Sequence, residues 1–248
     1  MKIQLLSDIH LEFEDYQYQQ TDSDVVVLAG DIHVKDGGLK WAINNIKDKP
    51  VIYVLGNHEY YGKAYPKFID TSRELCKGTN VHLLENDHLE INGVNFLGCT
   101  LWTNFELYGD PRLVGAHCQD LMTDYKKIRK LPRYSKIRSI DVSMIHSESI
   151  NWLEEKLQEL QGLKCVVVTH HGPSEKSVPK QFIGDIVTSA YVSNLESTIL
   201  NYGPSLWLHG HLHNSSSYQT GGCQIVCNPK GYPGELNPNF DGKLVLEV

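Results

Sequence analysis

Five times along the 248-residue chain, a short run of apolar, mostly β-branched residues stops abruptly in a polar cluster. Ile3–Leu6 leads into Ser7-Asp8-Ile9-His10, Val25–Ala29 into Gly30-Asp31-Ile32-His33, and Val51–Leu55 into Gly56-Asn57-His58-Glu59. Cys165–Val168 leads into Thr169-His170-His171-Gly172-Pro173, and Leu206–Leu208 into His209-Gly210-His211-Leu212-His213. Continuous apolar runs of this length suit strands buried on both faces beneath helices, rather than strands with one wet face. Helical spacing appears between them: Leu39, Ala42, Ile43 and Ile46 form one stripe, and Ile150, Leu153, Leu157 and Leu160 another, with Gly162 as a stop. Phe68, Ser72 and Leu75 suggest a third helix, Leu195 and Ile199 a fourth. The alternation in the first 60 residues implies βαβ units. The later strands, Val94–Thr100, Gln224–Cys227 and Leu244–Val248, follow shorter loops and are expected to pair antiparallel. The expected fold class is α/β, an α+β sandwich of two mixed β-sheets flanked by α-helices. One domain over residues 1–248 is expected, with Trp102–His146 as a cap region.

Composition sets the outer bounds. With 41% hydrophobic and 21% charged residues the chain can bury a real core, which excludes disordered, collagen-like and coiled-coil classes. No apolar stretch approaches the ~20 residues of a membrane helix. A strand-like run that begins at Lys2 leaves no room for an export segment, so a cytoplasmic location and no membrane partner are expected. The six cysteines then read as reduced, mostly buried thiols; Cys223 and Cys227 lack the second pair that would complete a zinc site. A net charge of −7 argues against a general duplex-DNA binder. Lys126–Arg138 runs against that balance, with seven basic residues and no acidic one. It reads either as a solvated face or as a contact for an anionic substrate.

Eight of the twelve histidines sit in the five polar blocks. Ligands of open α/β sheets bind at the carboxyl ends of strands, where loops converge on one crevice. Five strands delivering Asp, His and Asn to one edge therefore define a site. Mixed carboxylate and imidazole donors suit Mn²⁺, Fe²⁺ or Zn²⁺, and there are more of them than one tetrahedral ion requires. Two ions ~3.5–4 Å apart can share a carboxylate and clamp the attacking and leaving oxygens of an in-line displacement.

The order Asp8-x-His10, Gly30-Asp31, Gly56-Asn57-His58-Glu59, Thr169-His170-His171, Gly210-His211-x-His213 resembles the calcineurin-like metallophosphoesterase superfamily. The resemblance implies one ion held by Asp8, His10, Asp31 and His213. It implies a second held by Asp31, Asn57, His170 and His211, with Asp31 bridging. His170 is taken over His171 because the family's ligand stands two positions before the Gly or Pro of that block. Two divalent or mixed-valence ions, Mn²⁺, Fe or Zn²⁺, are the implied cofactors. His33 and His209 flank the motifs and read as supporting residues. Glu59 reads as a loop support, and Asn57, His171 and Arg112 as substrate contacts. Tyr108, Tyr125 and Tyr134 could stack on a base or simply pack. Asn228-Pro229-Lys230-Gly231-Tyr232 is similar to an Asn-Pro-Arg-Gly-Tyr element of small bacterial members and reads as a turn near the pocket. The protein-phosphatase branch has an Arg soon after its Asn-His-Glu block; here Tyr60-Tyr61-Gly62-Lys63 follows, which weakens that reading.

The expected activity is phosphoester hydrolysis by a metal-bridging hydroxide, on a phosphodiester such as a nucleotide or nucleic-acid end. His58, outside the ligand set, is the expected proton donor to the leaving oxygen. The alternatives are a phosphomonoesterase or nucleotide pyrophosphatase on the same core. A non-catalytic scaffold is disfavoured because every expected ligand is present.

Overall fold

The computed structural model describes all 248 residues. In the first sheet β1 (Lys2–Leu6), β2 (Val25–Ala29), β3 (Val51–Val54) and β5 (Val81–Leu83) run parallel, and β14 (Val245–Glu247) closes the β1 edge antiparallel. The second sheet has a parallel centre of β7 (Val94–Cys99), β10 (Cys165–Thr169), β11 (Leu206–His209) and β13 (Cys223–Cys227). Its antiparallel edges are β6 (Asp87–Ile91) and β12 (Ser216–Thr220). The two sheets are mixed, as the sequence implies, but β7 and β13 take parallel partners and lie inside the sheet. Their antiparallel neighbours are the short edge strands β6 and β12, whose alternating polar residues carry a weaker signal than the apolar runs.

The sheets pack face to face. Ile3, Leu5, Val27, Ile52 and Val54 of the first share one buried cluster with Phe96, Val166, Val168, Leu208 and Val226 of the second. Each outer face is covered by helices. Leu6, Val26, Leu28 and Tyr53 meet α1 (Gly37–Asn45) and α2 (Lys67–Cys76) through Leu39, Ala42, Phe68 and Ile69. Leu97, Val167, Trp207 and Ile225 meet α5 (Ser139–Glu159) and α6 (Glu196–Tyr202) through Leu153, Leu157 and Ile199. Burial on both faces explains the continuous apolar runs, since a fully buried Val, Leu or Ile contributes roughly 1.5–3 kcal/mol. All six cysteines are buried free thiols, and no helix is long and apolar enough to cross a membrane.

The Trp102–His146 stretch is structured. It holds α3 (Pro111–Leu121), α4 (Asp124–Lys127), β8 (Arg129–Lys130) and β9 (Ser135–Lys136), and it ends inside α5. With β4 (Ala64–Tyr65), the last two strands form a third, three-stranded sheet absent from the sequence expectation. The start of α3 has a legible cause: the Asp110 side chain accepts from the Arg112 N–H, and Pro111 opens the helix.

Gly98 of β7 sets the spacing of the two sheets. A Cβ there would lie 2.5 Å from Leu84 Cβ and 2.9 Å from Val54 Cγ1. Gly98→Ala should therefore destabilise by about 1–3 kcal/mol through overpacking. Chemical denaturation should show a lower midpoint at unchanged slope; an unchanged midpoint would mean that the sheets part easily.

Candidate metal centre

The loops that follow β1 and β2 continue the pairing of their strands. Asp8 N–H donates to the Gly30 carbonyl at 3.0 Å, and His10 N–H to that of Asp31 at 3.1 Å. Beyond the strands the chain turns sharply. Asp8, His10, Asp31, His211 and His213 all have positive φ, between 48° and 72°. Non-glycine residues hold that region only where their surroundings over-determine it, at about 1–3 kcal/mol each.

Glu59 supplies much of that determination. Its buried carboxylate accepts from the N–H groups of Asp31 (3.0 Å), Gly56 (2.8 Å), Ile32 (2.9 Å) and His33 (3.4 Å), and from the Tyr53 hydroxyl (2.8 Å). It thereby fastens the β2 loop to the β3 loop. Gly56 is required beside it, because a Cβ there would fall 2.1 Å from Asp31 Oδ1.

Three imidazole nitrogens converge on Asp31 Oδ2: His170 Nε2 at 3.5 Å, His58 Nε2 at 3.9 Å and His10 Nε2 at 4.0 Å. His10 Nε2 lies 3.0 Å from His213 Nε2, which is 3.4 Å from Asp8 Oδ1. On the other side His170 Nε2 lies 3.0 Å from Asn57 Oδ1 and 3.1 Å from His211 Nδ1. Ions with ~2.1 Å bonds hold neighbouring ligand atoms ~3.0–3.4 Å apart, so these spacings fit two metal positions. The donor chemistry fits too. His170 Nδ1–H donates to the Ala29 carbonyl at 2.9 Å, leaving the Nε2 lone pair of the neutral ring facing Asn57 Oδ1 and Asp31 Oδ2, both acceptors. Acceptors converging on acceptors require a cation between them. A proton on Nε2 would answer the same need. Burial opposes it, but the charges of Asp31 and Asp8 push His170 up to about 10. The same imidazoles outweigh burial at the carboxylates, holding Asp31 well below the usual range and Asp8 below it.

His58 occupies the rim. Its Nδ1 is 2.8 Å from Glu12 Oε1 and its Nε2 is 3.0 Å from the Tyr232 hydroxyl. Glu12 also lies 3.2 Å from His10 Nδ1. Against burial, Asp31 and Glu12 push His58 up to about 9. Behind Asn57 stands Asp124 of α4, buried, whose Oδ1 accepts from Asn57 Nδ2 at 2.9 Å and from the Tyr61 hydroxyl at 2.7 Å. That bond settles the amide orientation: the nitrogen faces Asp124 and the oxygen faces the centre. A cavity of about 560 Å³ opens over the centre, floored by Asp31, Asn57, His58, His211 and His213. Leu121, Met122, Val178, Pro179, Phe182 and Val187 wall it, and no lysine or arginine lines it.

The other sequence candidates fall outside the cavity. His171 is buried, bound to the Thr100 carbonyl at 3.1 Å, with its ring 4.3 Å from that of His211, so it backs a ligand. Burial pushes it down to about 3, and the neutral ring packs against Trp102. Arg112 is exposed at the start of α3, paired with its own cap residue Asp110, and the structure does not bring it to the cavity. Tyr108 bonds Glu175, Tyr125 is buried and Tyr134 exposed. His209 bonds Ser177, and His33 bonds the Val34 carbonyl, both as structural residues. Asn228 ties the β1 and β14 approaches by donating to the carbonyls of Leu5 and Asp241. Glu12, Tyr61 and Asp124 were not legible as site residues. Glu12 and Tyr61 had a weak signal, each standing two residues past the end of a polar block, and Asp124 had none.

If Asp124 orients Asn57, Asp124→Ala should lower metal content towards about one ion per chain, whereas Asp124→Asn keeps an acceptor and should restore it. Elemental analysis of both variants decides the point. Equal loss in both would mean that charge, not amide orientation, is what Asp124 provides.

The sequence matches calcineurin-like phosphoesterase over residues 1–215. An uncharacterized protein of Acanthamoeba polyphaga mimivirus is 29% identical over 279 residues, spanning 99% of this chain and 96% of its own. Among solved structures, phosphopantetheinyl hydrolase from Mycobacterium tuberculosis superposes with a TM-score of 0.78 at 15% identity, over 100% of this chain and 95% of the other. A candidate 5′-nucleotidase from Staphylococcus aureus does so at 0.51 and 14% identity, over 93% of this chain and 48% of the other. At such identities the structural likeness is one of fold. The matched residues contain the whole convergent set from Asp8 to His213, and the chain belongs to the calcineurin-like phosphoesterase family, whose chemistry is metal-dependent hydrolysis of phosphoesters.

Proposed function

We propose that the chain hydrolyses a phosphodiester, at a nucleotide or nucleic-acid end, on a binuclear centre bridged by Asp31. Asp8, His10, Asp31 and His213 would hold one divalent ion, and Asp31, Asn57, His170 and His211 the other. The mixed donors suit Mn²⁺, Fe or Zn²⁺. The convergence of three imidazole nitrogens on Asp31 Oδ2 is the observation that carries the reading. When bound, two such ions polarise phosphoryl oxygens and lower the pKa of water towards neutrality.

The chain's own residues supply the rest. Glu12 accepts the His58 Nδ1–H, so the proton on Nε2 faces the cavity and can pass to a leaving alkoxide. The Tyr232 hydroxyl, 3.0 Å from that nitrogen, fixes the ring plane. The apolar wall fits the organic part of an ester. Asp124, Asp185 and Glu235 line the cavity without any lysine or arginine, which favours a singly charged diester over a dianionic monoester. The segment from Trp102 to β9 serves as the cap, since Leu121, Met122 and Asp124 form one side of the cavity.

After reconstitution with Mn²⁺, Fe²⁺ or Zn²⁺, kcat/KM should be higher for bis-p-nitrophenyl phosphate than for p-nitrophenyl phosphate. The reverse order would replace the diester reading by a monoesterase. Asp31→Asn should take metal content from about two ions per chain to well below one. A ratio that stays near one in the wild type, with full activity, excludes a binuclear centre. His58→Ala should keep its metal yet lose roughly 10²–10⁴-fold in kcat on alkyl esters and far less on p-nitrophenyl esters. Loss of metal would make His58 a ligand, as its proximity to His10 and Asp31 allows.

A further inference from the structure

Beside the metal centre lies a second concavity of about 450 Å³, lined by Lys35, Lys126, Lys127 and Arg129 with Val34, Tyr61 and Gly62. None of its lining residues is acidic. None of its four cations has a carboxylate within 4.0 Å, whereas Lys130 and Arg138 of the same basic run share Asp141. Four unpaired cations facing one recess on a chain of net charge −7 oppose one another, and an anion is what relieves them.

The recess is built from the same elements as the centre. Lys35 stands four residues beyond Asp31 on the β2 loop, held at a φ of +60°. Lys126 and Lys127 follow Asp124 on α4, and the Arg129 guanidinium is fixed by the carbonyls of Lys126 (2.9 Å) and Ile128 (3.3 Å). Gly62 N–H donates to the Lys127 carbonyl at 3.1 Å. Tyr61 is the shared wall: it lines both concavities, its hydroxyl bonds Asp124, and Lys127 Nζ lies 4.7 Å from its ring centroid. The main cavity has no lysine or arginine, so a further phosphate of a substrate finds no such cation there.

We propose that this recess binds a second phosphoryl group of the substrate, one that is not cleaved, and so selects phosphodiesters carrying an additional phosphate. The inference rests on the phosphodiesterase reading above. Its carrier is the pairing of a reaction cavity without lysine or arginine with an acid-free basic recess across one tyrosine.

Thymidine 5′-(p-nitrophenyl phosphate), with and without a 3′-phosphate, tests it, because both release the same phenolate. The wild-type KM should be about tenfold lower for the 3′-phosphorylated ester at low salt. The difference should shrink at high salt, as the Debye length falls from ~10 Å at 0.1 M to ~3 Å at 1 M. The Lys126→Gln, Lys127→Gln, Arg129→Gln triple variant should abolish the difference while leaving KM for the unphosphorylated ester within about twofold. Equal KM values in the wild type overturn the proposal, and so does a difference that survives in the triple variant. If inorganic phosphate alters turnover of the unphosphorylated ester in the wild type but not in the variant, the recess serves a free anion and the substrate assignment falls. If neither ester nor bis-p-nitrophenyl phosphate is cleaved, the parent reading fails separately. Calorimetry with thymidine 3′,5′-bisphosphate then judges the recess alone: weaker binding to the triple variant upholds it, equal binding removes it.

Discussion

Asp8 and Asp31 are buried at the ends of adjacent parallel strands, and Glu59 is buried behind them. Three carboxylates out of water cost many kcal/mol unless each finds donors or opposite charge. Backbone N–H groups meet part of the demand: His211 N–H donates to both Asp8 oxygens, His58 N–H to Asp31, and four N–H groups to Glu59. Imidazoles rather than lysines or arginines meet the rest. The left-handed turns follow from this demand, since only sharp reversals aim so many N–H groups and ring nitrogens at two carboxylates. Stability and chemistry are therefore set by one electrostatic arrangement, which is complete when cations are present.

That arrangement reaches the surface through Asp124. The residue lies on the four-residue helix α4 of the Trp102–His146 stretch, yet its oxygen fixes an amide of the centre and a tyrosine of the cavity wall. A segment joined to the cavity floor by hydrogen bonds does not move independently of it. Its position and the orientation of Asn57 change together. The same helix carries Lys126 and Lys127, so the basic recess shares that fixed geometry.

The strands that carry the centre were legible because burial on both faces forces unbroken apolar runs, each ending where polar residues must begin. Edge strands β6 and β12 were not, because a wet face dilutes the pattern to two apolar positions in β6 and one in β12. The polar blocks announced Asp8, His10, Asp31, Asn57, His170, His211 and His213 as neighbours, and the structure brings all seven to one crevice. Residues that act on these neighbours left little trace. Asp124 is one acid among 30 Asp and Glu residues, and only the docking of α4 brings it to Asn57. Arg112 shows the opposite error. A basic residue in the long stretch between strands suggests phosphate contact, but the Asp-Pro helix start two residues earlier turns its side chain back onto Asp110.

The seven convergent residues are spread from position 8 to position 213, on loops that belong to both sheets. During synthesis the first sheet's Asp8 and Asp31 emerge early, but the N–H and imidazole groups that balance Asp8 come from the β11 loop near the end of the chain. An incomplete chain thus carries Asp8 with its His211 and His213 partners still unmade, while Asp31 already has His10 and His58. Long-range closure of this kind is slow and comes late in folding. The group of Asp8, His10 and His213 can therefore close only once the β11 loop is in place, whereas His10, Asp31 and His58 can meet as soon as the first three strands have paired.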